Sequence, residues 1–482
     1  MESKDLIALI LLLFGVPIGI LICLSSFRLR DAAFFLMILG AVVTDRMDVN
    51  FLSEAWYRGT TRGIEISLVD IIAIGVFVSS VLRPREEGGP RWYWPAGLGL
   101  MLVFFLYNCV SVAWSEPRIF GLFELSKIFR GILFFLAAAS FVRSEREVRL
   151  MVVALACALC FESALAVKQR ALNGIYRVTG SLEHANSFSM YLCAVAPVVL
   201  AALSAPLARP WRLLAMAGVA GATLSIVLTI SRAGMPIFAL VMMGTAMFCF
   251  SWRITFRKVA VATVILAGMA VMLGKAWDTL KARYGEATFE AEYLDERTEG
   301  RGYYLRLANA IVSENALGVG LNNWSYWVSK RYGAQLGTPY SDYEQLGPSP
   351  DPETVPSDNY AAPAHNLAAL TVGELGLPGL FLFGLLWLRW FHMGARFLWR
   401  RAPDLASRIG IGIFFGTGGV FLQSVTEWTY RQTHILLTFQ MMIGTLAALC
   451  WMRQRAARRK AVYSPRQAFD EKDFPTYEPV GA

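Results

Sequence analysis

The feature that most constrains this chain is a succession of apolar runs separated by short charged clusters. The runs fall near 6–24, 32–44, 67–82, 92–114, 120–142, 150–167, 187–204, 211–230, 234–251, 258–274, 374–393, 408–426 and 433–452. Most are about 18–22 residues long, the length at which a helix crosses about 30 Å of hydrocarbon. Outer-membrane barrels are excluded, because their strands are about 10 residues long and alternate in polarity. Charged residues make up 17% of the chain, against about 25% in soluble domains. The expected fold is all-α: a polytopic transmembrane helical bundle of about 12–14 spans with one large extracytoplasmic loop containing amphipathic helices.

Basic residues in the short connections set the orientation. Alternate connections hold Arg28/Arg30, Arg83/Arg85/Arg91, Arg143/Arg146/Arg149, Arg209/Arg212, Arg253/Arg257/Lys258 and Arg396/Arg400/Arg401/Arg408, and the tail adds Arg453, Arg455, Arg458, Arg459 and Lys460. These fall on one side if there are thirteen spans, so that side is the cytoplasm. The other side receives 45–66, 168–186, 231–233, 275–364 and 427–432. The organisation expected is 1–274 as N-terminal transmembrane helices, 275–364 as the large outer loop, 365–452 as C-terminal transmembrane helices, and 453–482 as a basic tail that reads as disordered from 461. The first run lacks a basic n-region and a clean cleavage site, and reads as a retained helix. The net charge of +9 follows from the cytoplasmic clusters and does not call for nucleic acid. All seven cysteines lie in apolar runs, so no disulfide framework is expected.

Chemistry at an outer face needs polar residues there. Ser231-Arg232-Ala233-Gly234 follows an apolar run directly. An Arg at a helix end can snorkel to headgroups, or aim its guanidinium at a phosphate. Arg177-Val178-Thr179-Gly180-Ser181 leads to His184-Ala185-Asn186, a structured turn or an N-cap for the next helix. In the large loop, Arg297 and Arg301 precede an amphipathic helix expected over Tyr303 to Asn315, with Arg306 inside it. Leu317-Gly318-Val319-Gly320 then permits a tight turn but is no nucleotide fingerprint, since no strand–helix unit surrounds it. The stretch 337–363 reads as irregular chain, and His365-Asn366 closes the loop, followed by Gly373-Glu374-Leu375-Gly376-Leu377-Pro378-Gly379. Glu124, Lys127 and Arg130 share one helical face inside an apolar run. They either pair internally, Glu124 with Lys127 or across to Glu162, or form the polar wall of a substrate cavity. No zinc-protease, P-loop or Ser-hydrolase motif and no metal-ligand spacing is present.

Taken in order, these segments resemble the bacterial O-antigen ligase and O-antigen polymerase superfamily. The resemblance rests on Arg177-x-x-Gly180-Ser181-x-x-His184-x-Asn186, Ser231-Arg232-x-Gly234, the large loop with Leu317-Gly318-Val319-Gly320, and the closing His365-Asn366 and Gly373-Glu374-x-Gly376-x-x-Gly379. It covers roughly residues 120–450, and the order of the motifs is more specific than any one of them. Where the family often has Pro before Gly-Val-Gly, this chain has Asn315-Ala316-Leu317. The resemblance implies an inverting, GT-C-type membrane glycosyltransferase of the bacterial inner membrane, working at the periplasmic face without metal or other cofactor. The donor would be an undecaprenyl-diphosphate-linked glycan, and the acceptor another glycan, lipid A core or a protein. It implies His365, Arg232 and Arg301 as catalytic residues. Arg177, His184, Asn186, Arg297, Arg306, Lys127, Arg130, Asn366 and Glu374 are the further candidates for substrate binding. The rival from another class is a polysaccharide or lipid transporter, which should show broken helices in two related halves; no such repeat is visible in the sequence.

Overall fold

A computed structural model describes residues 3–44, 48–54, 56–85, 90–251, 300–340, 360–399 and 402–467, with isolated positions between 252 and 299. The apolar run 258–274, Arg297, the loop stretch 341–359 and the tail 468–482 therefore lie outside the described residues.

Each remaining apolar run is a helix. In chain order they are α1 (Ser3–Ile10), α2 (Val16–Ser25), α3 (Phe27–Val42), α4 (Leu68–Leu82), α5 (Leu98–Trp114), α6 (Arg118–Phe141), α7 (Glu145–Ala171), α8 (Ala185–Ala202), α9 (Arg209–Leu228) and α10 (Gly234–Cys249). The loop helix α11 (Arg301–Glu314) follows, then α12 (Leu367–Trp399), α13 (Leu405–Ser424) and α14 (Thr433–Gln467). Six of the described helices are long and apolar enough to cross a membrane: α7, α8, α9, α12, α13 and α14. Those of α2, α4, α5 and α10 are equally apolar but shorter, and α6 carries Glu124, Lys127 and Arg130 through its middle. The chain is a multi-pass helical membrane protein, as its hydropathy requires. The last helix runs on to Gln467, past the point where the sequence reads as disordered; the Ala- and Arg-rich stretch 453–460 is strongly helix-forming and carries it there.

Packing between helices depends on small side chains, because lipid tails give no hydrophobic reason for two helices to prefer each other. Gly412, Gly416 and Gly419 run down one face of α13, and a Cβ at Gly416 would collide with the Ala194 carbonyl of α8. The two backbones therefore lie in direct contact, and a core of Leu, Met and Phe side chains fills the space around them.

The only strands among the described residues are β1 (Val49–Phe51) and β2 (Ile64–Ile66), paired antiparallel with Asn50 opposite Glu65. The hairpin is a local exception to the all-α expectation. Its side chains alternate, apolar at Val49, Phe51, Ile64 and Ile66 and polar at Asn50 and Glu65, as a half-buried pair requires. Ser67 and Asp70 form a capping box that turns the chain from β2 into α4.

The two ends of the bundle differ. At one end the basic connections meet: Arg85 pairs with Asp31 and Glu147 at 2.6 Å each, and Arg146 pairs with Asp31 at 2.6 Å. Arg408 donates to the Phe248 carbonyl and Arg453 to that of Arg396. At the other end lie the hairpin, the 172–184 turn, the Ser231 turn, α11 and the 425–432 connection, and the site forms among them.

Candidate active site

The 172–184 turn is built by its own neighbours. Gln169, in the last turn of α7, accepts from the backbone N–H of Thr179 (2.9 Å) and Gly180 (3.0 Å). Glu162 accepts from Ser181 N at 2.8 Å, while Lys127 pairs with Glu124 at 2.8 Å. Gly180 sits at φ 63°, and a Cβ there would strike the Glu162 carboxylate. The turn so fixed presents Arg177, whose Nη2 donates to Asn186 Oδ1 at 3.0 Å and whose Nε reaches the Thr229 carbonyl. His184 is the N-cap residue of α8 but makes no capping bond with its side chain.

Asn186 is the hub. Its Oδ1 also accepts from Ser231 Oγ (3.3 Å), while its Nδ2 donates to Glu427 Oε1 at 2.7 Å. Glu427 Oε2 lies 2.8 Å from His365 Nδ1. Arg301 approaches the same carboxylate at 3.5 Å and anchors its Nε on the Thr426 carbonyl at 3.1 Å. Asn366 caps α12 by accepting from Ala369 N and ties it to the same connection through the Val425 carbonyl. The Glu427 side chain is 7% exposed, that of His365 43%. A carboxylate on Nδ1 makes that nitrogen the donor and leaves Nε2 as the basic nitrogen.

His365, Glu427, Asn186, Arg177 and His184 wall one cavity of about 750 Å³, closed on its far side by the hairpin segment with Asp48, Arg58, Arg62 and Glu65. Four of the candidates, three from 177–186 and His365, thus reach one space. Arg301 joins them through Glu427. Arg232 is half-buried and follows directly on Ser231, whose hydroxyl is bonded to Asn186. The residue before that pair, Ile230, is held at φ 51°, an unusual conformation for a β-branched side chain. Arg306 is half-buried on α11.

Lys127, Arg130 and Glu374 belong to a second constellation, behind the cavity wall. Glu124 pairs with Lys127 (2.8 Å) and with Arg431 Nε (2.9 Å), and Arg431 Nη1 pairs with Glu374 at 2.6 Å. Thr60 and Thr61 of the hairpin segment also donate to Glu124. Arg130 is ringed by Asp70 (2.9 Å), Glu65 (3.0 Å) and Asp48 (3.2 Å). Burial pushes the Asp48 carboxyl up to about 7 against the pull of Arg130, with the neighbouring Glu65 and Asp70 charges adding to the rise. Of the readings open for the α6 charges, internal pairing is the one observed, with Lys127 only 1% exposed.

The two glycine motifs serve the backbone. α12 breaks at Gly376 (φ 66°), and Pro378 has no N–H to give the Glu374 carbonyl its helical partner. The carbonyls of Gly373 and Glu374 instead accept from Val319 N (3.0 Å) and Gly320 N (2.8 Å), and Leu377 N donates to the Ala316 carbonyl. A Cβ at Gly318 would collide with the Glu374 carbonyl, which explains the glycine there. Asn322, just after this contact, donates to the carbonyls of Thr61 and Phe120 and so locks the loop, α6 and the hairpin segment together.

Sequence reasoning missed Glu427, Arg431 and the hairpin residues Asp48, Arg58, Arg62 and Glu65. The signal for the first two was present: the six-residue connection 427–432 contains one acid and one arginine between two apolar runs. Among the described residues no group of three or more His, Cys, Asp or Glu is arranged to hold a metal ion.

In comparison with known families, residues 216–384 fit the family model described as O-antigen ligase. The matched stretch runs from α9 through the large loop to α12, and so contains Arg232, Arg301, His365 and both glycine motifs. It supports the O-antigen ligase and polymerase superfamily and a ligase- or polymerase-type function in the broad sense. No curated protein matches the chain.

Proposed function

We propose that this chain, with its O-antigen ligase segment at residues 216–384, transfers a glycan from an undecaprenyl-diphosphate carrier to an acceptor hydroxyl, with inversion at the anomeric carbon and without a metal. The acceptor is a second glycan, as in a polymerase, or the lipid A core, as in a ligase. The observation that carries the reading is the His365–Glu427 pair, 2.8 Å apart on the wall of the 750 Å³ cavity, with Arg301 on the same carboxylate.

In this mechanism Glu427 holds the imidazole by Nδ1–H, and Nε2 takes the acceptor proton as the hydroxyl oxygen attacks. The new bond forms between that oxygen and the anomeric carbon. The bond from the same carbon to the diphosphate oxygen breaks, and its electron pair leaves with the carrier. Arg301 and Arg232 offset the charge that grows on the leaving diphosphate, a fixed electrostatic contribution that costs no reorganisation during the reaction. Arg177, bonded to Asn186 and facing the cavity, adds a further phosphate contact. The basic connections gather at the opposite end of the bundle, which supports a cytoplasmic assignment for that end and a periplasmic one for the cavity, in the inner membrane.

The test is transfer by purified protein in nanodiscs, with a polyprenyl-diphosphate-linked glycan and an acceptor. Product and free carrier should form in excess chelator, and Arg301→Lys, which keeps charge but loses the planar fork, should slow single-turnover transfer by about 10²–10³-fold. Product that appears only after Mg²⁺ or Mn²⁺ is restored, or an Arg301→Lys enzyme at wild-type rate, overturns the arginine-based mechanism.

A further inference from the structure

A second cavity, about 270 Å³, meets the first at Arg58, Ala362 and His365, which wall both. Its character is different. Tyr304, Trp324, Tyr340 and Tyr360 line it together with Leu307 and Val328, and Arg58 is the one cation on it among the described residues. The Tyr304 ring lies 5.7 Å from the His365 ring. Arg58 Nη1 donates to the Tyr360 carbonyl at 2.8 Å, so the hairpin segment and the end of the large loop are joined where the two cavities meet. Trp324 is 1% exposed and rests the benzo edge of its indole on Gly373.

The lining narrows the ligand. A diphosphate needs several cations, and these are on the other cavity, at Arg62 and Arg177 as well as Arg58. An isoprenoid tail needs no tyrosine hydroxyls. A sugar ring has an apolar C–H face that fits against aromatic rings and a rim of hydroxyls that can meet Tyr oxygens and Arg58. We propose that the aromatic cavity is a carbohydrate subsite for the acceptor, which brings its terminal sugar hydroxyl to His365 from the side opposite the polar cavity where the donor diphosphate lies. This rests on the glycan-transfer reading above and specifies the side from which each substrate enters. Tyr304 and Tyr340 are specificity-determining residues of that subsite.

The test uses full-length protein in nanodiscs and, as probe, the lipid-free oligosaccharide repeat released by mild acid from the source strain's surface polysaccharide. Binding is followed by saturation-transfer NMR and titration. Tyr304→Ala and Tyr340→Ala should each weaken binding by about 3–10-fold, the worth of one aromatic stacking contact. Tyr304→Phe keeps the ring and should bind within about twofold of wild type. In the transfer assay the two alanine variants should raise the acceptor KM more than they lower kcat. Unchanged glycan binding in both alanine variants, or a KM rise confined to the donor, overturns the subsite. If the oligosaccharide binds with the expected sensitivity but wild type makes no product from lipid-linked donor, the transfer reading falls and the carbohydrate subsite stands.

Discussion

Two ionic constellations sit at the same end of this molecule, and they differ in what surrounds them. The Glu124–Lys127–Arg431–Glu374 network is closed off, with its side chains 1–11% exposed. The Glu427–His365 pair has one buried partner and one open to a cavity, at 7% and 43%. Both contain a carboxylate and a nitrogen cation or base at hydrogen-bond distance, so charge alone does not separate them. Access does. In the first, every strong acceptor is used by protein groups, and the network joins α6, the hairpin segment, α12 and the 425–432 connection. In the second, Glu427 uses both oxygens on protein, while the far side of the imidazole faces space that a substrate can enter. The first is a clamp, and the second is placed to do chemistry.

The comparison breaks most readily at Arg431. Removing one partner of a buried ion pair leaves the other charge uncompensated, at a cost of about 3–5 kcal/mol. Arg431→Met should therefore lower the thermal unfolding midpoint in detergent sharply, and adding Glu374→Gln should recover part of the loss. A midpoint equal to wild type for Arg431→Met would remove the clamp from the account.

The open pair should respond in the opposite way. His365→Ala should keep the wild-type midpoint and still bind donor, because its side chain is half-open, while single-turnover transfer falls by about 10²–10⁴-fold, the usual contribution of a general base. Glu427→Gln keeps a polar group beside Nδ1 but loses the charge that orients and supports it. Its transfer should also drop, by up to about 10⁴-fold, the loss that follows when the carboxylate orienting a catalytic histidine becomes an amide. Equal losses of stability in these two variants and in Arg431→Met would erase the distinction.

The smallest effect concerns Asp48, which touches Arg130 on one side and the cavity on the other. Its carboxyl is raised from 3.8 to about 7 in the fold, chiefly by burial. The folded chain thus binds this proton more tightly than the unfolded chain does. The stabilising contribution is complete below the unfolded value and is lost as pH rises through the folded one, so the window runs from about pH 4 to pH 7. Asp48→Asn should flatten the fall of the unfolding midpoint across that window. A slope identical to wild type would mean that the ring of carboxylates around Arg130 does not hold a proton.

The glycine motifs illustrate how far the sequence could be read. Leu317-Gly318-Val319-Gly320 called for a tight turn, and Gly373-Glu374-Leu375-Gly376 preceded a proline. Both features were local and both were visible. That the two would bond to each other across the break in α12 was not, because a freed carbonyl does not record which N–H will reach it. The α6 charges are similar: their common face follows from their spacing, but Arg431 and the hairpin acids that meet them lie 65 to 307 residues away.

By itself the sequence determined the helices, the basic and the polar end of the bundle, and part of the set of polar residues that meet at the polar end. Those follow from run length and from the cost of charge and unpaired backbone in hydrocarbon, which act on each segment separately. The tertiary structure decided which of those residues touch. Lipid and protein interior are about equally apolar, so an apolar helix carries little sign of which face meets which neighbour. Only the packed bundle brings Asn186, Arg301, His365 and Glu427 to one wall and sends Lys127, Arg130 and Glu374 behind it.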